Sequence, residues 1–282
     1  MAAVPLSIYG IFVLAPLLWS FAISFTAWNG LSPDRPFIAL GNYQQALRDP
    51  LFFNALRNTA LWLVVGIFVP TAAGLGLAVL LDRPLRGSRL YKSLFYLPVC
   101  LSLAVVGQVW IWIYQPDIGL INTVLRGVGL DGLARAWLAN PSTSLWAVIF
   151  AWCWQQTALS LILYLAALTT VPPELVEAAA IDGANGRQAF WRVVFPLLRP
   201  ATTTVVALGV IGVLKGFDVV YMLTQGGPFH TSDNLAMLMY TETFRKYQVG
   251  YGAAISTALF ALALIVILLY FRQTRASERV YG

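Results

Sequence analysis

Few side chains in these 282 residues could do chemistry, and those that could are scattered. His230 is the only histidine, which excludes a histidine triad, a histidine metal cluster and most proton relays built on imidazole. Cys100 and Cys153 lie inside apolar runs without metal-ligand spacing, so neither a metal site nor a disulfide framework is expected. A G-x-G-x-x-G occurs at Gly127, Gly129 and Gly132, but no strand precedes it; the spacing predicts a turn-rich loop, not a dinucleotide site. No G-x-x-x-x-G-K-[ST] phosphate loop is present. The expectation is a non-catalytic chain with no catalytic residue, no metal and no cofactor of its own.

What remains is polarity in apolar places. Trp154, Gln155, Gln156 and Thr157 interrupt one hydrophobic run. Amides in lipid are costly unless paired with another helix or turned to a watery cavity. Trp beside amides also suits sugar recognition, with a face for stacking and groups for hydroxyls; interhelical bonding is the alternative. Gly209, Gly212 and Gly216 fall within about 60° of one another on a helix, a stripe allowing close packing or room for a ligand. Lys215 and Asp218 are the only charges well inside a run, and their spacing allows an ion pair along the helix, with a gate or partner contact as the alternative. Ser102, Leu103 and Gln108 are weaker pathway candidates in an earlier run.

The elements that must carry these residues are membrane spans. The chain is 59% hydrophobic and 11% charged, with mean hydropathy +0.73, against about 25% charged in soluble domains. Runs of roughly 20 apolar residues mark a spanning helix. Six are read, at about 5–28, 58–81, 94–115, 144–168, 201–223 and 252–271, in a single transmembrane domain covering 1–282. The first resembles a signal peptide only superficially: no Lys or Arg precedes it and its apolar core exceeds the usual length, so it is read as retained. Ten Lys and Arg lie in the 82–92 and 171–200 loops and the C-terminal tail, against seven in the opposite loops. That bias places both termini and the 171–200 loop in the cytoplasm. The net charge of +6 is spread over short loops, as orientation in a bilayer requires; it argues against nucleic-acid binding.

The 171–200 loop carries its own pattern. Pro172 and Pro173 start a short helix of good formers, "ELVEAAAI", which Asp182 and Gly183 end. Beyond Gly186, Phe190, Val193, Val194 and Leu197 share one face of a second helix suited to the membrane interface. The alanines of the first helix permit close approach to another surface, so it is either a docking helix or a plain connector.

Here the residues resemble a known family. "EAAAIDGANGRQAFWRVVFPLLRP" is similar to the EAA loop of ATP-binding cassette importer permeases: Glu177, Ala178, Ala179, Asp182, Gly183, Ala184, Phe195 and Pro196 match it position by position. "RNTALW", "YLP", "FDVVYMLTQGGP" and "GYGAAIS" resemble the carbohydrate branch, in particular its maltose-type or glycerol-phosphate-type first permease subunit, over nearly the whole chain. The resemblance implies an all-α integral membrane fold of six transmembrane helices, with the cytoplasmic loop at about 171–200 inserting a coupling helix into an ATPase subunit. It implies a second permease subunit forming a heterodimeric pore, two ATPase subunits that hold ATP and Mg, and an extracytoplasmic sugar-binding protein, in a bacterial plasma membrane. It places the sugar path along spans four and five, with Gly209, Gly212, Val213 and Gly216 at the positions of the pocket residues on span five and Trp154, Gln155 and Gln156, singled out by their chemistry, on span four. The span-five positions are not the polar residues of the maltose-type pattern, so the cargo need not be maltose. Another solute, such as glycerol phosphate, an amino acid or a polyamine, is the alternative. An ion-coupled carrier or channel would need intramembrane acids or inverted repeats, neither of which is evident. A membrane enzyme would need an acid, base or metal cluster in the spans, and none is evident.

Overall fold

The computed structural model describes residues 3–82 and 87–281. Arg83 and Arg86, counted in the charge bias, lie outside the described residues. Among these the regular elements are helical, and the one β-bridge pairs Thr26 with Phe37. The helices are α1 (Val4–Ile23), α2 (Gly41–Ala46), α3 (Pro50–Leu81), α4 (Ser88–Cys100), α5 (Leu103–Ile113), α6 (Leu120–Gly127) and α7 (Ser144–Leu168). They continue as α8 (Pro173–Ile181), α9 (Gly186–Leu197), α10 (Arg199–Leu214), α11 (Phe217–Leu223), α12 (Leu235–Tyr240) and α13 (Val249–Tyr281). Four of them, α1, α3, α7 and α13, are each long and apolar enough to cross a bilayer; the bent pairs α4–α5 and α9–α10 raise the number to six if each pair crosses once.

Local chemistry sets the ends. Pro50 opens α3, where a missing N–H costs nothing, and the Asp49 carboxylate accepts from the Leu51 amide at 2.8 Å. The second span therefore begins earlier than expected, at Pro50 rather than residue 58. The first ends sooner, at Ile23 rather than residue 28. There the Ser24 hydroxyl donates to the Phe21 carbonyl, and the Asn42 amide donates to the carbonyls of Ser24 and Thr26.

The third span is not one straight helix. α4 and α5 meet at 108°, because Leu101 adopts an extended backbone and Ser102 starts a new helix by capping Val105. The fifth is likewise interrupted: α10 stops at Leu214, Lys215 and Gly216 leave helical geometry, and α11 resumes at Phe217. The fourth span matches the reading, Ser144–Leu168.

The core lies where α3, α7, α10 and α11 meet. Trp62 and Trp152 are fully buried and pack edge to face at 5.8 Å, surrounded by Val148, Val213 and Val220. Lower on the same interface α3 crosses α7 at Gly74, where a Cβ would stand 2.4 Å from that of Ser160 and 3.0 Å from the Leu161 nitrogen. Only glycine lets these two backbones approach so closely.

Candidate functional site

Two regions carry the residues singled out above: the loop between α7 and α10, and the middle of α7 facing α3, α5 and α10. In the loop, α8 ends in a Schellman motif. The Ala184 amide donates to the Ala179 carbonyl at 2.9 Å and the Gly183 amide to the Ala180 carbonyl at 3.0 Å, with Gly183 left-handed at φ +83°. The D-G-A of the sequence is thus a helix stop: Asp182 is the C-cap, Gly183 takes the left-handed angle and the Ala184 amide reaches back to the Ala179 carbonyl. Asn185 then starts α9 with a reciprocal capping box to Gln188, 2.9 Å in each direction.

The helix this motif terminates stands free of the body. Glu177, Ala178, Asp182 and Gly183 are exposed, Ala179 and Ala184 half-buried, and Ile181 is 87% exposed. Leu175 and Val176 on the same helix are also exposed, so Ile181 is one of three uncovered apolar side chains there.

α9 behaves as a distinct segment, turning 65° into α10. Residues Phe190–Val194 form a π turn, which adds a residue to the helical repeat. The apolar face is therefore shifted at its end: Phe190, Val193 and Val194 are half-buried as expected, but Leu198 is fully buried and Leu197 stays 44% exposed.

In the middle of α7 the two amides have different surroundings. Gln155 donates from Nε2 to the Leu101 carbonyl at 2.5 Å, which is the backbone group set loose by the break between α4 and α5. Its polarity is explained by this interhelical bond. Gln156 instead borders a space about the size of one water molecule, lined with Gly66, Thr71, Ser160 and Gly209. Trp154 is half-buried and packs edge to face on Trp110 at 5.8 Å.

The glycine stripe is occupied by rings. A Cβ on Gly212 would meet Trp152 at 3.0 Å and the Gln156 amide at 3.2 Å; one on Gly216 would meet Trp62 at 2.9 Å. Only Gly209 has room, its nearest neighbour standing at 3.9 Å, and Val213 is buried beside Gly66. These glycines make space for Trp62 and Trp152, whose indole N–H groups, with that of Trp110, find no acceptor among the described residues. The sequence reading missed both tryptophans as partners of the stripe.

The opposite face of α10 and α11 is open: Thr204, Leu208, Ile211, Lys215 and Asp218 are all exposed. Lys215 and Asp218 form no ion pair, contrary to the pairing their spacing allowed, because the break at Gly216 removes the helical geometry that would bring them together. Ser102 and Gln108 are also exposed on α5, and Leu103 is half-buried.

The loop before α12 holds the one histidine. His230 Nδ1 lies 2.6 Å from Asp233 Oδ2, and burial pushes the Asp233 carboxyl up to about 6 while its bond to His230 pulls the other way. Gly127 ends α6, Gly129 turns at φ +79° and Gly132 lies in a short 3-10 turn, Asp131–Leu133, so the three glycines belong to a helix end and its turns, not to a nucleotide cradle after a strand. Among the described residues no group of three His, Cys, Asp or Glu could hold a metal.

Residues 71–280 match the family described as binding-protein-dependent transport system inner membrane component. A probable ABC transporter permease protein of Pyrococcus horikoshii is 39% identical over 267 residues, covering 94% of this chain and 91% of that one. The xylose/arabinose import permease protein XacH of Haloferax volcanii is 35% identical over 266 residues, covering 94% and 83%. A chain of a bacterial ABC transporter that imports the acidic polysaccharide alginate superposes with a TM-score of 0.84 at 21% identity, covering 96% of this chain and 92% of that one.

Proposed function

The chain belongs to the family of inner membrane components of binding-protein-dependent transport systems, and from that premise we propose that it is one permease subunit of an ATP-driven importer of mono- or oligosaccharides. It crosses the plasma membrane six times, α4–α5 and α9–α10 each counting as one span, with both termini and the α8 loop in the cytoplasm. With a second permease it forms the pore. Two ATPase subunits bind ATP and Mg, and an extracytoplasmic binding protein delivers the sugar. XacH, similar over most of its length, is named for xylose and arabinose import, which favours sugar over glycerol phosphate or a polyamine.

The observation that carries the coupling role is the bare, capped α8. In this reading Glu177, Ala178 and Ile181 enter a cleft on one ATPase subunit, with Ala179, Asp182, Gly183 and Ala184 fixing how the helix stands. Closure of the ATPase pair moves α8, and the continuous path through α9 into α10 carries that motion to the core. Hydrolysis and product release reset the pore.

The test is ATP-driven sugar uptake by the complete importer in proteoliposomes. Gly183→Val puts a branched side chain at φ +83° and is expected to cost about 1–2 kcal/mol locally. It should weaken ATPase retention on purification and cut uptake, whereas Gly183→Asn, which tolerates that angle, should keep most of both. Unchanged assembly and uptake in Gly183→Val would sink the coupling assignment.

A further inference from the structure

Where α11 and α12 come together, four aromatic rings form a contiguous patch that the helix core does not bury. Phe217 lies 5.2 Å from Tyr221 and 4.8 Å from Tyr240; Tyr240 lies 5.4 Å from both Tyr221 and Phe244. The first three rings are half-buried at their edges, and Phe244 is 62% exposed. Polar groups rim the patch. The Arg245 guanidinium sits 5.7 Å from the centroids of both Tyr221 and Tyr240 and donates to the Gln225 side chain at 3.0 Å. Asp218, one helical turn before Tyr221, is exposed and unpaired. Among the described residues no hydrogen bond uses the hydroxyl of Tyr221 or Tyr240.

We propose that this platform is a carbohydrate-binding subsite, which holds a neutral sugar ring by stacking and by hydrogen bonds from its polar rim. The proposal rests on the sugar-importer reading and assigns it residues outside the 171–200 loop and the glycine stripe. A pyranose offers a face of C–H groups that packs on an aromatic ring and an edge of hydroxyls that need both donors and acceptors. The rim supplies both: donors on Arg245 and the phenols, acceptors on Asp218 and the phenols. An apolar partner helix would leave these groups desolvated and unpaired, which is costly.

The site is held in shape before any ligand arrives. The Asn234 side chain donates to the Gly216 carbonyl at 3.0 Å, and the Leu235 amide donates to Thr59 Oγ1 at 3.0 Å, so α11, α12 and α3 are tied by buried bonds. Glu242 is paired with Lys246 at 2.7 Å, and among the described residues no carboxylate forms an ion pair with Arg245. Preorganised rings with unspent donors bind at a lower entropic cost than a loop that must order.

The experiment uses the permease and ATPase complex in nanodiscs without its binding protein. Binding of the sugar that the wild type imports is followed by saturation-transfer NMR, and basal ATPase is measured on the same samples. Tyr240→Ala and Phe244→Ala should each weaken sugar binding about tenfold with basal ATPase unchanged. Tyr240→Phe, which keeps the ring and guards against a folding defect, should weaken it only a few-fold. Capture of sugar-free binding protein should be the same in all. Binding unaltered in both alanine variants overturns the platform, and so does loss of binding-protein capture, which would make the patch a protein contact. A wild-type importer that moves no sugar at all defeats the function itself, an outcome distinct from either.

Discussion

Gln155→Leu is expected to loosen the break in the third span without unfolding the helix that bears it. The Gln155 amide meets the Leu101 carbonyl at 2.5 Å, while the neighbouring helix start is served by others: Val106 donates to Ser102 and Val105 to the Ser102 hydroxyl. Leucine fills nearly the same volume and donates nothing, so Leu101 loses the side-chain donor that serves its carbonyl. An orphaned buried acceptor costs about 1–3 kcal/mol in proteins generally, and interhelical bonds in membranes average about 0.6 with a ceiling near 2. Between these, about 1–2 kcal/mol is expected, a factor of about 5–30 in the local opening equilibrium. Hydrogen exchange resolved over residues 99–106 reads that factor directly as faster exchange in Gln155→Leu. Gln155→Asn, one methylene short, should behave similarly. Exchange within about twofold of wild type refutes the pin. A rise spread evenly through 144–168 refutes it too, because the fault would then lie in α7 packing.

Two further outcomes follow from contacts elsewhere. Gly74→Ala inserts a methyl group against the Ser160 side chain and the Leu161 backbone, so α3 and α7 must part, with an expected loss of about 1–3 kcal/mol in thermal unfolding; Gly76→Ala, with nothing within 4 Å, should be neutral or stabilising. Asp233 has its carboxyl raised to about 6 from an ordinary value near 3.9, so its contribution to the loop is full below about pH 4 and is lost as pH rises through 6. Amides of 226–235, corrected for intrinsic rates, should therefore be better protected at pH 5 than at pH 7.5, and Asp233→Asn should flatten that difference.

How much of this was legible depends on whether a signal was local. The end of α8 was readable because Asp182, Gly183 and Ala184 are neighbours in sequence as well as in the Schellman motif. The fourth span was readable to the residue because an uninterrupted apolar run needs nothing but its own composition. The breaks were not. "YLPVCLSLAV" is apolar throughout, and hydropathy has no sense of the 108° turn that Leu101 makes once a Gln from another helix can serve its carbonyl. The unpaired Lys215 and Asp218 were missed for the same reason: i,i+3 spacing predicts a pair only if the helix continues, and Gly216 stops it.

Span five shows why residue type underdetermines role. Three glycines on one stripe are equally consistent with a ligand cavity and with a deep bed for aromatic rings, and the sequence offers no way to choose, since the rings come from Trp62 and Trp152, roughly 60 to 150 residues upstream. Filled glycines make the buried side of α10 a rigid wall. A wall of that kind leaves only the exposed side, from Thr204 to Asp218, to face water or a partner, and the aromatic platform begins where that side ends. A charge such as Asp218 is far too costly to leave against lipid. Its exposure on this face, one turn from Tyr221, therefore requires an aqueous or protein neighbour there. The same requirement predicts that enlarging Gly209, the one stripe position with room, will disturb transport less than enlarging Gly212 or Gly216, where any added atom must displace an indole.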